Sequence, residues 1–221
     1  LHQLHPENSA GAFSAAWQGG VRWCECDIHF TADGVPVVIH DETLRRTTIL
    51  TGAISEMNWA DISRTLLIGC NCQPTVEKLP SLLAIIQLIP ADRGLIIEIK
   101  PPVAAEMVLK NLPRGDERIM LQSFDETNLA RLRDTGCEFP LALLVEDELS
   151  LLRAIDSPWE SVRAKHSLLT PEIIGRINRS GKSVGAWTVN DPAEMRRLAD
   201  LGVDMLITDF PLVAKEVLGI D

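Results

Sequence analysis

RWCECDIHFTADGVPVVIHD, residues 22–41, decides how the rest of the chain reads. It predicts a strand, a tight turn, a second short strand and a histidine. Glu25 and Asp27 stand two apart, so on an extended backbone both carboxylates leave from one face. Cys24, Cys26 and Ile28 then point the other way, into apolar packing. Asp33-Gly34 is a turn dipeptide, and residues 35–39 bring His40-Asp41 back toward the same end. Two adjacent carboxylates repel unless something positive lies between them, and a hard divalent cation is the natural occupant. A histidine in the same neighbourhood can move protons near neutral pH. An exposed acidic strand edge is the competing reading of the Glu-x-Asp pair.

Upstream, residues 8–18 carry Ala12, Phe13, Ala16 and Trp17 at helical spacing. Asn8 or Ser9 can cap that helix, and Gly19-Gly20 ends it. Downstream, residues 43–80 are irregular and read as an inserted subdomain with one short helix over 58–66, where Asn58 can cap. Beyond Pro80 the pattern is regular. Strands are predicted at 94–99, 118–122, 141–145, 160–164, 183–188 and 203–207, each followed by a helix. Such alternation implies a parallel sheet with helical crossovers in one domain, residues 1–221. Helices outside the insertion outnumber barrel-type strands by one. A closed (β/α)8 TIM barrel needs the eighth strand to remove its edges. The expectation is therefore such a barrel, with its first strand upstream of Leu1 and missing from the sequence. An open doubly wound sheet is the alternative.

In barrels of this kind the working residues lie at the C-terminal ends of strands. Glu98 and Lys100 end the strand GLIIEIK. Glu98 adds a third carboxylate, and three of them suit Mg²⁺ or Ca²⁺ better than zinc. Lys100 suits a phosphate oxygen, or is a plain surface lysine. His29 shares the face of Glu25 and Asp27, as a fourth ligand or as part of the turn. Gln122 and Ser123 end another strand. Trp187 walls a small-molecule pocket or packs in the core. Asn190 and Asp209 follow strand ends and read equally as helix caps. His2, His5 and His166 have no spacing that recommends them.

The 221 residues suffice for one well-buried core, and 46% hydrophobic residues is ordinary for a globular chain. A net charge of −10 argues against nucleic acid and against an anionic membrane surface. No apolar run is long enough for stable insertion into a bilayer. Five cysteines at these spacings make no closed zinc site. Buried thiols in a reducing, cytoplasmic compartment are the expectation. Assembly into a homo-oligomer is left open.

Together, His5-Pro-Glu-Asn8, Glu25-Cys-Asp27, Thr31-Ala-Asp-Gly34, Val37-Val-Ile-His-Asp41, Arg46-Thr-Thr48, Glu98-Ile-Lys100, Ser123-Phe-Asp125, Trp187-Thr-Val-Asn-Asp191 and Thr208-Asp-Phe-Pro211 are highly specific. With them the chain resembles the glycerophosphodiester phosphodiesterases over nearly its whole length. The resemblance implies a (β/α)8 barrel with a small insertion after the strand ending in His-Asp. It implies Glu25, Asp27 and Glu98 as ligands of a divalent cation, His40 as one of two catalytic histidines, and Lys100 as a phosphate contact. The implied reaction cleaves a small glycerophosphodiester to glycerol 3-phosphate and an alcohol. A phosphodiesterase acting on lysophospholipids, and a degenerate barrel that binds phosphoesters without turnover, are the rival readings. One departure stands out: the family opens with a strand ending in His-Arg, and Gln3 follows His2 here. A trimmed N-terminus is the expected explanation.

Overall fold

The computed structural model describes residues 4–100 and 104–220. His2 and Gln3 lie outside them. The chain opens with α1 (Ala10–Gln18), whose N-cap Ser9 accepts a hydrogen bond from the Ala12 N–H. Then come β1 (Trp23–Phe30) and β2 (Pro36–Val38), joined by a turn in which Gly34 takes φ +79°. Residues 39–81 hold α2 (Trp59–Ile62) and a separate hairpin of β3 (Leu66–Ile68) and β4 (Pro74–Lys78). A regular series follows: α3 (Leu82–Ile86), β5 (Gly94–Ile99), α4 (Ala105–Lys110), β6 (Ile119–Ser123), α5 (Glu126–Asp134), β7 (Leu141–Val145) and α6 (Glu148–Ile155). It ends with β8 (Ser161–Lys165), α7 (Pro171–Arg179), β9 (Ser183–Trp187), α8 (Pro192–Asp200), β10 (Met205–Leu206) and α9 (Pro211–Leu218).

The main sheet has eight strands in the order β10-β9-β8-β7-β6-β5-β1-β2. All its pairings are parallel except β1 with β2. The expected closed barrel with an absent first strand is therefore corrected. The first strand of the sheet is β1, inside the chain, and the sheet is a curled half-barrel that stays open. Among the described residues no ladder joins its two edges. One edge is β2, which reverses through the Gly34 turn and meets β1 only at its far end, at Ile28, His29 and Phe30, while Val37 also bridges Ser81. The other is β10, only two residues long where five were expected. At its start β1 is not covered by β2, and there it faces β10 across one cavity, lined by Trp23 and Cys24 on one side and Met205 and Leu206 on the other. Helices α1 and α9 meet across the gap, where Lys215 Nζ donates to the Gly19 carbonyl at 3.1 Å.

Strand periodicity separates two faces. The convex face carries Cys24, Cys26, Ile28, Ile97, Leu121 and Val162, which pack with the helices in the main core. The concave face carries Glu25, Asp27, Glu98, Gln122 and Arg163. A second apolar cluster of Val37, Ile39, Leu44, Ile54, Ile62, Leu67 and Leu79 lies under the irregular region. Asn58 precedes α2 but makes no side-chain cap; Asp33 Oδ1 takes the Trp59 N–H instead, at 2.9 Å. Cys24, Cys26 and Cys137 are buried as expected, with Cys24 pushed up to about 12 by burial, whereas Cys70 and Cys72 are exposed. Among the described residues no helix is long and apolar enough to cross a membrane.

Candidate active site

Parallel register brings the acidic residues together. Asp27 on β1 lies beside Glu98 on β5, and Glu98 beside Gln122 on β6. Glu25 stands one step below Asp27 on the same face. Glu25, Asp27 and Glu98 each offer a carboxylate oxygen within 4.8 Å of the others. Oxygens on opposite sides of a Mg²⁺ or Ca²⁺ ion stand about 4–5 Å apart, so an all-carboxylate set at this spacing fits a hard divalent cation. The cluster already attracts positive charge: Lys100 Nζ lies 2.8 Å from Asp27 Oδ1 and also contacts Glu98 Oε1.

Crowding of like charge shows in the acidities. Burial, then the Asp27 and Glu98 charges, holds the Glu25 carboxyl well above its ordinary range. Burial and Asp27 raise that of Glu98. Burial works against the Lys100 charge, but Asp27 and Glu98 outweigh it and raise its pKa.

His40 follows β2 and lines the same cavity, of about 900 Å³, with Glu25, Asp27, Glu98 and Lys100. Its Nδ1 lies 2.9 Å from Asp41 Oδ1. Arg46 donates to both Asp41 oxygens at 2.8 Å and to both Glu7 oxygens at 2.7 Å. The Arg46 guanidinium holds the Asp41 carboxyl well below the usual carboxylate range. An ionised carboxylate only accepts, so Nδ1 carries the hydrogen and Nε2 is left for proton transfer. His29 is not brought into the acidic cluster. Its Nε2 donates to the His40 carbonyl oxygen at 3.0 Å, and burial lowers its pKa.

Trp187 lines the cavity beside Phe124, edge to face with centroids 5.3 Å apart. Its indole N–H is tied to the Arg163 carbonyl at 2.8 Å. Ser123 is turned away, donating to the Ile99 carbonyl at 2.9 Å. Asn190 caps nothing: it donates to Asp209 Oδ2 at 2.7 Å, and Asp191 caps α8.

Three participants are not assigned to the site by the sequence: Asn8 reads there only as a helix cap, and Gln122 and Arg163 have no role. Asn8 takes φ 54° and reaches Asp27 Oδ2 at 3.4 Å. Gln122 donates to Glu25 Oε1 at 3.1 Å. Arg163 donates to Gln122 Oε1 at 2.8 Å. The one available signal for Arg163 is a cation flanked by Val162 and Ala164 inside the buried strand SVRAK, whose second cation, Lys165, ends it in solvent.

The family model of the glycerophosphoryl diester phosphodiesterase family matches residues 1–213. The chain belongs to this family. It is 31% identical over 232 residues to a probable glycerophosphodiester phosphodiesterase 2 of Mycobacterium tuberculosis, covering 96% of this chain and 85% of that one. A putative glycerophosphodiester phosphodiesterase of Bacillus subtilis is 30% identical, with 93% and 90% covered. Among solved structures, a putative glycerophosphoryl diester phosphodiesterase of Silicibacter pomeroyi superposes with a TM-score of 0.87 at 27% identity, over 96% of this chain and 88% of that one. An Oleispira antarctica phosphodiesterase solved with the product sn-glycerol-3-phosphate shares the fold, with a TM-score of 0.84 at 24% identity over 97% and 92%. As a glycerophosphoryl diester phosphodiesterase family member the chain is a phosphodiesterase, an enzyme that acts on glycerophosphodiesters.

Proposed function

We propose that the protein hydrolyses a glycerophosphodiester to glycerol 3-phosphate and an alcohol in the cavity above the acidic cluster. Glu25, Asp27 and Glu98 would hold a divalent cation, Mg²⁺ or Ca²⁺. Bound there, the cation supplies positive charge to a phosphoryl oxygen and lowers the pKa of a hydroxyl beside it. Lys100 offsets charge on the same phosphoryl group from the rim. His40 moves a proton at Nε2, with the reacting hydroxyl or the leaving alcohol as its partner. Trp187 and Phe124 give the non-phosphate part of the substrate an apolar wall.

The observation that carries this is the convergence of three carboxylates from two strands beside a lysine and a histidine held in one tautomer. The test measures glycerol 3-phosphate release from glycerophosphocholine and glycerophosphoethanolamine with Mg²⁺, with Ca²⁺ and with EDTA. Turnover that is lost with EDTA and restored by one of the ions is expected. Release that ignores the chelator would refute the assignment of the cluster.

A further inference from the structure

One charged side chain of the interior takes no part in that reading. Arg163 stands on the concave face of β8 and is only 2% exposed. Among the described residues no carboxylate pairs with it. Its Nε has no hydrogen-bond partner, and Nη2 reaches only Met120 Sδ, at 3.4 Å. Its one strong bond is the 2.8 Å contact from Nη1 to Gln122 Oε1. A buried guanidinium satisfied this poorly is costly, and burial drops its pKa to about 10. The sheet nevertheless makes room for it. Gly185 is its register partner on β9, and a Cβ there would come within 3.0 Å of Arg163 Cγ.

The chemistry of the link is directional. A guanidinium can only donate. Gln122 must therefore turn its carbonyl to Arg163, which leaves its amide NH₂ facing Glu25 Oε1 at 3.1 Å. Reversal would put an amide carbonyl against a carboxylate.

We propose that Arg163 is a positioning residue that fixes the polarity of the Gln122 amide, so that Glu25 is held by one oxygen and keeps the other for the cation. The inference rests on the reading of the acidic cluster as a cation site. It also goes against simple electrostatics. Arg163 repels a cation at a distance, so by charge alone its removal tightens metal binding. Loss of an outer-shell partner that orients a ligand instead weakens affinity, by about 10–100-fold.

The experiment is calorimetric titration of Mg²⁺ and of Ca²⁺ into chelator-stripped full chain, with thermal midpoints recorded alongside. Arg163→Met should weaken the affinity about tenfold. Arg163→Lys keeps a donor-only group and should stay within about threefold of the original chain. Gln122→Met should weaken binding as Arg163→Met does, and the double variant should be no worse than either single one. A purely structural role would lower the thermal midpoint and leave the affinity of the folded protein unchanged. If Arg163→Met does not fold, Gln122→Met and Arg163→Lys decide between them. An original chain that takes up neither ion refutes the cation site itself. An original chain that binds, beside a Met variant that binds as tightly or more tightly, refutes only the role of Arg163.

Discussion

Asp41→Asn is the sharpest probe of the proposed proton transfer, because the structure dictates what the amide must do. Arg46 donates to both Asp41 oxygens, through Nε to Oδ2 and through Nη2 to Oδ1, and His40 Nδ1 shares Oδ1. An asparagine offers one carbonyl for two donor-facing positions. With its NH₂ at the Oδ1 position, it opposes Arg46 Nη2 and forces His40 Nδ1 to accept. The ring hydrogen then moves to Nε2, which can no longer take a proton. With its NH₂ at the Oδ2 position, it opposes Arg46 Nε–H, and the Arg46 clamp opens. Positioned acid–base catalysis contributes about 10²–10⁴-fold. The His40 side chain is 57% exposed, which places its share at the lower end. The expected loss in kcat is about 10²-fold, or about 2.7 kcal/mol of barrier. Stability should fall by no more than about 1 kcal/mol, since pairs this exposed are weak. Cation affinity should not move, because Asp41 is outside the acidic cluster. The assay is steady-state glycerol 3-phosphate release at saturating cation, with calorimetric titration of the ion as control. A kcat within about threefold of the original chain would sink this reasoning, since either orientation of the amide breaks the His40 tautomer or the Arg46 clamp that positions it, and about 10²-fold is the least that positioned acid–base catalysis supplies.

Glu25→Gln should lower cation affinity about tenfold or more in calorimetry. It should leave the ion-free thermal midpoint unchanged or raised, because it relieves repulsion from Asp27 and Glu98; a clearly lower midpoint would contradict that cause. Gly185→Ala drives a methyl into the Arg163 stem and should cost about 1–3 kcal/mol in denaturant unfolding. On α8, the Arg197 hydrogen bonds and then His166 hold the Glu194 carboxyl down at about 2 from an ordinary 4.5. A depressed carboxyl stabilises the fold above its unfolded pKa, and that contribution is lost as pH falls from 4.5 toward 2. Glu194→Gln should therefore be less stable at neutral pH by about 1 kcal/mol, discounted for the exposed arginine, and should match the original chain near pH 2. A stability difference that persists unchanged down to that pH would rule out the linkage.

The elements were legible where a local cause dominates. The limits expected for β5 and β7 coincide with those observed, because unbroken apolar runs fix the strands, and the helix expected after the last strand starts at Pro211, which suits a first helical position. The meeting of Glu25, Asp27 and Glu98 was legible because the period of two and a shared register are enough to place them. Closure of the sheet was not. Counting strands presumes that edges must be removed, whereas here the Gly34 turn sends β2 antiparallel onto β1 and two helices span the gap. The β3–β4 hairpin was hidden because β4 alternates only between half-buried and exposed residues, with no strong apolar signal. The Arg163–Gln122–Glu25 link spans 41 and 97 residues of sequence in its two bonds. No local pattern reports on contacts made that far across a sheet.

The charges of the concave face explain why a cation and a phosphodiester would need each other there. Glu25, Asp27 and Glu98 outnumber Lys100 and Arg163 by one charge, and Glu146, Asp204 and Asp209 against Arg22 on the same cavity wall add to the excess, so the bare bowl repels an anionic phosphodiester. A divalent ion on the cluster would turn the balance of those five side chains positive beside the phosphoryl group. Lys100 cannot substitute for the ion, because its ammonium is already engaged by Asp27 and Glu98. An ion that draws those carboxylates to itself would release Lys100 toward the phosphoryl oxygen. Affinity for glycerol 3-phosphate should accordingly depend on the ion more steeply in the original chain than in Lys100→Met, measured by calorimetry with and without Mg²⁺. Equal dependence in the two would mean that the lysine serves the carboxylates alone and never reaches the phosphate.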